Sequence, residues 1–171
     1  MYAPDLDTRC QVARGDAVRA VGWLEHGKPV PTGATDPRFR AALRAHVTDA
    51  GHWQPLIMLG VHLCDLGDCT GVGAAQWAVF PAPTCVYVVP ELIVHYVEHH
   101  AYKPPDEFIA AVLACPEQSS EAYVAMVMPF RTTWGLSENT VRDVAADAPL
   151  KRRLHAEAQA LAAANRGNFK W

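Results

Sequence analysis

Two apolar runs, Ala75–Phe80 and Thr84–Val89, are separated only by Pro81-Ala82-Pro83. A parallel crossover needs roughly a dozen residues or more, so strands this close can pair only as an antiparallel hairpin. The remaining signals fall around that pair in a fixed order. Ala17–Leu24 reads as a first strand. Asp36-Pro37 supplies an N-cap and a proline at the first helical position, and Phe39, Leu43, His46 and Val47 then recur at helical spacing towards Gly51. Leu56–Cys64 is the strongest candidate for a buried strand. Pro90-Glu91 opens a helix to His99, Lys103-Pro104-Pro105 breaks it, and Asp106–Cys115 forms another that Pro116 ends. Ser119-Ser120-Glu121 caps a further helix through Met128. Strand, helix, three strands and then helices is an α+β order, with a small antiparallel sheet packed against several helices.

The chain has 171 residues, half of them apolar and 19% charged, which fits one globular domain with a real core. Its polar first segment, residues 1–15, is expected as a flexible arm, with an α+β core over 16–131. Residues 132–171 then form a helical extension, with helices over 137–147 and 149–165. The last helix carries Leu150, Leu154, Ala158 and Leu161 along one side, a stripe that would pack on the body or pair two copies of the chain as a homodimer. A net charge of −3 offers no positive field to collect phosphates, so nucleic acid is excluded as a partner. Met1–Asp7 has neither the basic nor the apolar part of a secretory signal, and no run approaches the ~18 apolar residues of a membrane helix. Five scattered cysteines are an odd number in a chain too long to need staples. Reduced thiols in a cytoplasmic protein are the expectation, although oxidation would pair Cys64 with Cys69.

Chemistry concentrates in two places. In Val61-His62-Leu63-Cys64-Asp65-Leu66-Gly67-Asp68-Cys69, alternation along a strand puts His62 and Cys64 on one face, and the turn at Gly67-Asp68 brings Cys69 back towards them. One imidazole and two thiolates are a borderline-soft set suited to zinc. In His95-Tyr96-Val97-Glu98-His99-His100, His95 and His99 share a helix face, while helical arithmetic turns His100 ~140° from His95, towards the core side. The blander explanation is a protonated histidine at the negative end of a helix. The candidate ligands are His62, Cys64, Cys69 and one histidine of the helix, from His95, His99 and His100. Four protein ligands would close a tetrahedral structural site, and three with water would leave an open, catalytic one.

Val86–Val97 continuing through His100, Tyr102, Pro104-Pro105, Phe108 and Ala114-Cys115-Pro116 resembles a group of small uncharacterised bacterial proteins. Their shared core reads roughly YVAPELIxHYIxxHxYxPPxxFxxAVxxCP. Gly60–Cys64 and Val21–Leu24 are similar to that group too, so the resemblance spans about residues 18–125. It implies no activity. His95 and His100 match its pattern, whereas His99 falls on a variable position; the resemblance thus favours His95 over His99 as a ligand and keeps His100 in play, giving His62, Cys64, Cys69, His95 and His100 as the set. Members of the group carry a tighter Cys-x-x-Cys, where this chain has Gly67 at the expected second cysteine and Cys69 two residues later.

Other chemistries lack their anchors. There is no GxGxxG, no GxxxxGK[ST] and no GxSxG, so dinucleotide, P-loop and serine-hydrolase readings fall. Cys115 reads as a small apolar residue ending a helix, and Glu91 and Glu98 as surface acids that matter only beside an open metal. Tyr87, Tyr96 and Tyr102 either line a pocket or bury rings with wet hydroxyls. The expected protein is a zinc-binding accessory or binding module with a protein or small-molecule partner. A metal-dependent enzyme with three ligands is the alternative, followed by an immunity-like, partner-binding protein without metal.

Overall fold

A computed structural model describes residues 2–48, 53–54 and 60–147, together with 150, 153 and 157. Its centre is a three-stranded sheet in the order β1 (Val18–Ala20), β5 (Val86–Pro90), β4 (Trp77–Pro81). β4 and β5 form the expected antiparallel hairpin, with Val79 opposite Val88. The sheet as a whole is mixed, because β1 joins the other edge of β5 in parallel, with Arg19 opposite Tyr87. Sequence distance forbade a parallel pair only between the neighbouring runs, and the long excursion from β1 to β5 is free to make one.

Every residue of β4 and β5 is buried, because the sheet is covered on both faces. Alternation sends Ala78, Phe80, Tyr87 and Val89 into one cluster and Trp77, Val79, Val86 and Val88 into the other. The first cluster is closed by α1 (Pro37–Val47), α2 (Ile93–His99) and α3 (Asp106–Ala114). The Asp36 carboxylate accepts from the Arg38 N–H at 2.6 Å, and Phe39, Leu43 and Val47 form the buried stripe of α1. The second cluster is closed by α4 (Glu121–Val127), a 3₁₀ helix over Met128–Trp134 and the helical residues 138–147. Trp134 stacks on Trp77 with ring centroids 5.9 Å apart, and Val141 is fully buried, so residues beyond 131 share the core. Most of the expected helix over 149–165, with Leu154, Ala158 and Leu161, lies outside the described residues.

The N-terminal segment is not a loose arm in this structure. Ala3, Cys10 and Ala13 are buried, and backbone bonds run from Ala3 N–H to Trp23 C=O and from Leu6 N–H to Ala20 C=O. Asp5 supplies the reason that composition hides. Its carboxylate accepts from the Gly22 N–H at 3.0 Å and from the Tyr102 hydroxyl at 2.7 Å, tying the segment to two other parts of the chain. Gly22 has φ +73°, and a Cβ there would come within 2.9 Å of Ile93 Cγ1, so the chain can pass α2 only as glycine.

The expected strand over Leu56–Cys64 is only partly described, since residues 55–59 lie outside the described set. Its remainder is β2 (His62–Leu63), paired antiparallel with β3 (Gly73–Ala74) in a separate two-stranded sheet. Val61 and Leu63 are 64% and 58% exposed, so this stretch is a surface hairpin rather than a core strand.

Candidate metal centre

The hairpin loop that leaves β2 carries both cysteines. The Cys64 N–H donates to Val72 C=O at 2.8 Å, extending the ladder one step beyond the strand. Gly67 and Gly71, at φ +72° and +76°, turn the chain so that Cys69 returns beside Cys64. Facing them, α2 presents His95 from its middle and His100 from its C-cap. The His100 N–H still donates to Tyr96 C=O, but the residue has φ −113° and ψ 9°. It has left helical geometry, and Ala101 at φ 51° then reverses the chain. The arithmetic that turned His100 away from His95 holds only inside a helix, so both rings can meet.

The ligand atoms of Cys64, Cys69, His95 and His100 all lie within 4.8 Å of one another. His100 Nε2 is 3.4 Å from Cys64 Sγ, 3.1 Å from Cys69 Sγ and 3.1 Å from His95 Nε2. One ring nitrogen carries either a proton or a lone pair, so it can make a single good hydrogen bond. Here three polar atoms converge on it. A tetrahedral ion with Zn–N near 2.05 Å and Zn–S near 2.3 Å would space its ligands about 3.3 Å for N···N and about 3.6 Å for N···S. The observed separations fall close to those edges.

Cys64 is buried and its three companions are half-buried. Burial pushes the Cys64 thiol up, reinforced by its hydrogen bond and proximity to Cys69, while a backbone hydrogen bond with Leu66 opposes. Burial also pushes the His95 imidazole down, with His100 and His99 adding to the effect and Glu98 opposing. Neutral imidazole is the form that ligates a metal, whereas each thiol must give up its proton to do so.

His62 is not part of this cluster. It stands opposite Ala74 and lines a recess with Gly22, Trp23, Leu24 and Tyr96. The step from His62 to Cys64 fits strand alternation, but β2 ends at Leu63, and the position expected of His62 is filled from the end of α2. His99 is exposed, with its ring centroid 4.9 Å from that of His95, and is likewise outside the group. Glu98 pairs with Arg44 of α1. The three tyrosines are buried as rings; Tyr102 donates to Asp5, and the Tyr96 hydroxyl is itself buried.

A family model for a domain of unknown function, DUF7919, matches residues 1–113. The chain belongs to the DUF7919 family. The DUF7919 match contains all four clustered residues and the N-terminal segment that Asp5 anchors, and it stops inside α3. No curated protein and no solved structure matches the chain. Among the described residues, no helix is long and apolar enough to cross a membrane.

Proposed function

We propose that Cys64, Cys69, His95 and His100 hold one zinc ion, which pins the β2–β3 hairpin to α2, and that the protein works in the cytoplasm as a binding or accessory module. The observation that carries this is the convergence of three polar atoms on His100 Nε2. A cation satisfies all of them at once, and a hydrogen-bond network cannot. Two sulfurs and two nitrogens complete a tetrahedron, so the set matches closed structural sites rather than the three-ligand sites that keep a position for water. Such a clip contributes folding free energy directly.

Elemental analysis of tag-free protein purified without chelator is expected to give one zinc per chain. Cys64→Ser and His100→Ala should each lose most of it, and the melting temperature should fall by more than about 10 °C. His62→Ala and His99→Ala should keep it. Full loading of both Cys64→Ser and His100→Ala would overturn the ligand set. With Cys69→Ser and His95→Ala added, loss of zinc in three of the four single variants and full loading in the fourth would point to the open-site enzyme, and absence of metal to the partner-binding reading.

A further inference from the structure

Apart from the metal centre, no hydrogen bond among the described residues joins the β2–β3 hairpin to the rest of the molecule. Residues 60–75 bond to one another, as in Cys64 N–H to Val72 C=O and Thr70 N–H to Asp68 C=O. Their bonds beyond the hairpin all meet at His100 Nε2, from Cys64 Sγ and Cys69 Sγ. Apolar packing of Leu66, Val72 and Ala74 on the first cluster completes the attachment. The two sulfurs in this link are also neighbours, no more than 4.8 Å apart. A disulfide needs about 2.05 Å between them. Gly67 and Gly71, both exposed, flank Cys69, and a Cβ on Gly71 would meet no atom, so the loop is free to close that gap. Cys69 is half-buried and within reach of solvent. The remaining thiols are shielded: Cys10 and Cys85 are buried, and burial pushes the Cys115 thiol up to about 12.

We propose that Cys64 and Cys69 form a site of reversible oxidation by hydrogen peroxide, in which a disulfide between them releases the zinc and unfastens the hairpin from α2. The inference rests on the metal reading and gives that site its regulation. Cys69, the more exposed of the two thiolates, attacks one peroxide oxygen, the O–O bond breaks, and a sulfenic acid and hydroxide result. The Cys64 thiolate then attacks that sulfur, the S–O bond breaks, and hydroxide leaves as the S–S bond forms. Two protons from solvent turn both hydroxides to water, so the sulfurs lose two electrons and one peroxide gains them. His95 and His100 are then half a ligand set, too few to retain the ion. Unfastening opens the recess in which His62 and Ala74 meet Trp23, Leu24, Leu92 and Tyr96. Those last four are buried in the closed form, so oxidation presents an apolar face.

The test uses the full chain as purified, with its zinc content measured first. Hydrogen peroxide is added beside a chromophoric zinc chelator, and thiols are mapped by alkylation in denaturant before and after reduction. One zinc released per disulfide is expected, with Cys64 and Cys69 alone taking the label that follows reduction. Chymotryptic cleavage at Leu63 and Leu66 should become at least about tenfold faster, and phosphine reduction with added zinc should restore the original rate. Absence of zinc at the outset would overturn the metal reading and this inference with it. Zinc retained while Cys64 and Cys69 stay reduced would overturn this inference alone. So would a disulfide at Cys10, Cys85 or Cys115, oxidation that reduction does not reverse, or zinc release without faster cleavage.

Discussion

At the C-cap of α3, Cys115 is partly buried, and burial pushes its thiol up to about 12. In the unfolded chain the same thiol ionises near 8.5. Between those values the unfolded state has lost a proton that the fold retains, so stability falls as the pH rises through that window. Cys10, also raised chiefly by burial, acts in the same direction. Urea midpoints at pH 8 and pH 10.5 should show this loss, and Cys115→Ala should make it shallower; an unchanged slope would contradict the assignment. Single residues also show where sequence reading reaches and where it stops. Asp36 could be identified as a cap from its neighbour Pro37, because capping is a local property. His100 could not be oriented by helical arithmetic, because its ring direction depends on where the helix ends. Asp5 gave no signal at all, since its partners Gly22 and Tyr102 are distant in the chain.

Among the elements, α3 meets the sheet and α1 through the ring of Phe108, with Val112 buried beside it in the same cluster. Phe108 meets Phe39 of α1 and Phe80 and Tyr87 of the sheet, with centroids 6.3, 5.4 and 5.5 Å away. Phe108→Ala should therefore cost about 3–5 kcal/mol, measured by urea denaturation, and a loss under 1 kcal/mol would mean that this junction is not central. The elements most legible in the sequence were those with local punctuation. The β4–β5 hairpin was forced by its short connection, and α1, α3 and α4 by caps and prolines. Val61 and Leu63, in the described end of the apolar run before Cys64, are exposed, and hydrophobicity alone does not distinguish a core strand from a surface hairpin. β3 was invisible, since a two-residue strand has no period to detect.

Across the whole molecule, the two-sided burial of the sheet makes the second half of the chain part of the same folding unit. Trp134 contacts both Trp77 and Trp53, and the Trp53 indole N–H donates to Val141 C=O at 3.1 Å. A chain ended after Arg131 should unfold at a distinctly lower denaturant concentration than the full chain. Equal midpoints would show that residues beyond 131 are dispensable. Composition shifts near Thr132 looked like a boundary because alanine-rich helices differ in make-up from the core, yet packing follows buried faces, and Val141 and Ala145 still reach the core. The DUF7919 match stops at residue 113, before α4, the 3₁₀ helix and residues 138–147, although Ala3, Cys10, Ala13, Trp23 and Trp53 within it already line the second cluster. The stretch shared with the family therefore leaves this side of the wall half roofed, and in this chain the residues after it finish the roof.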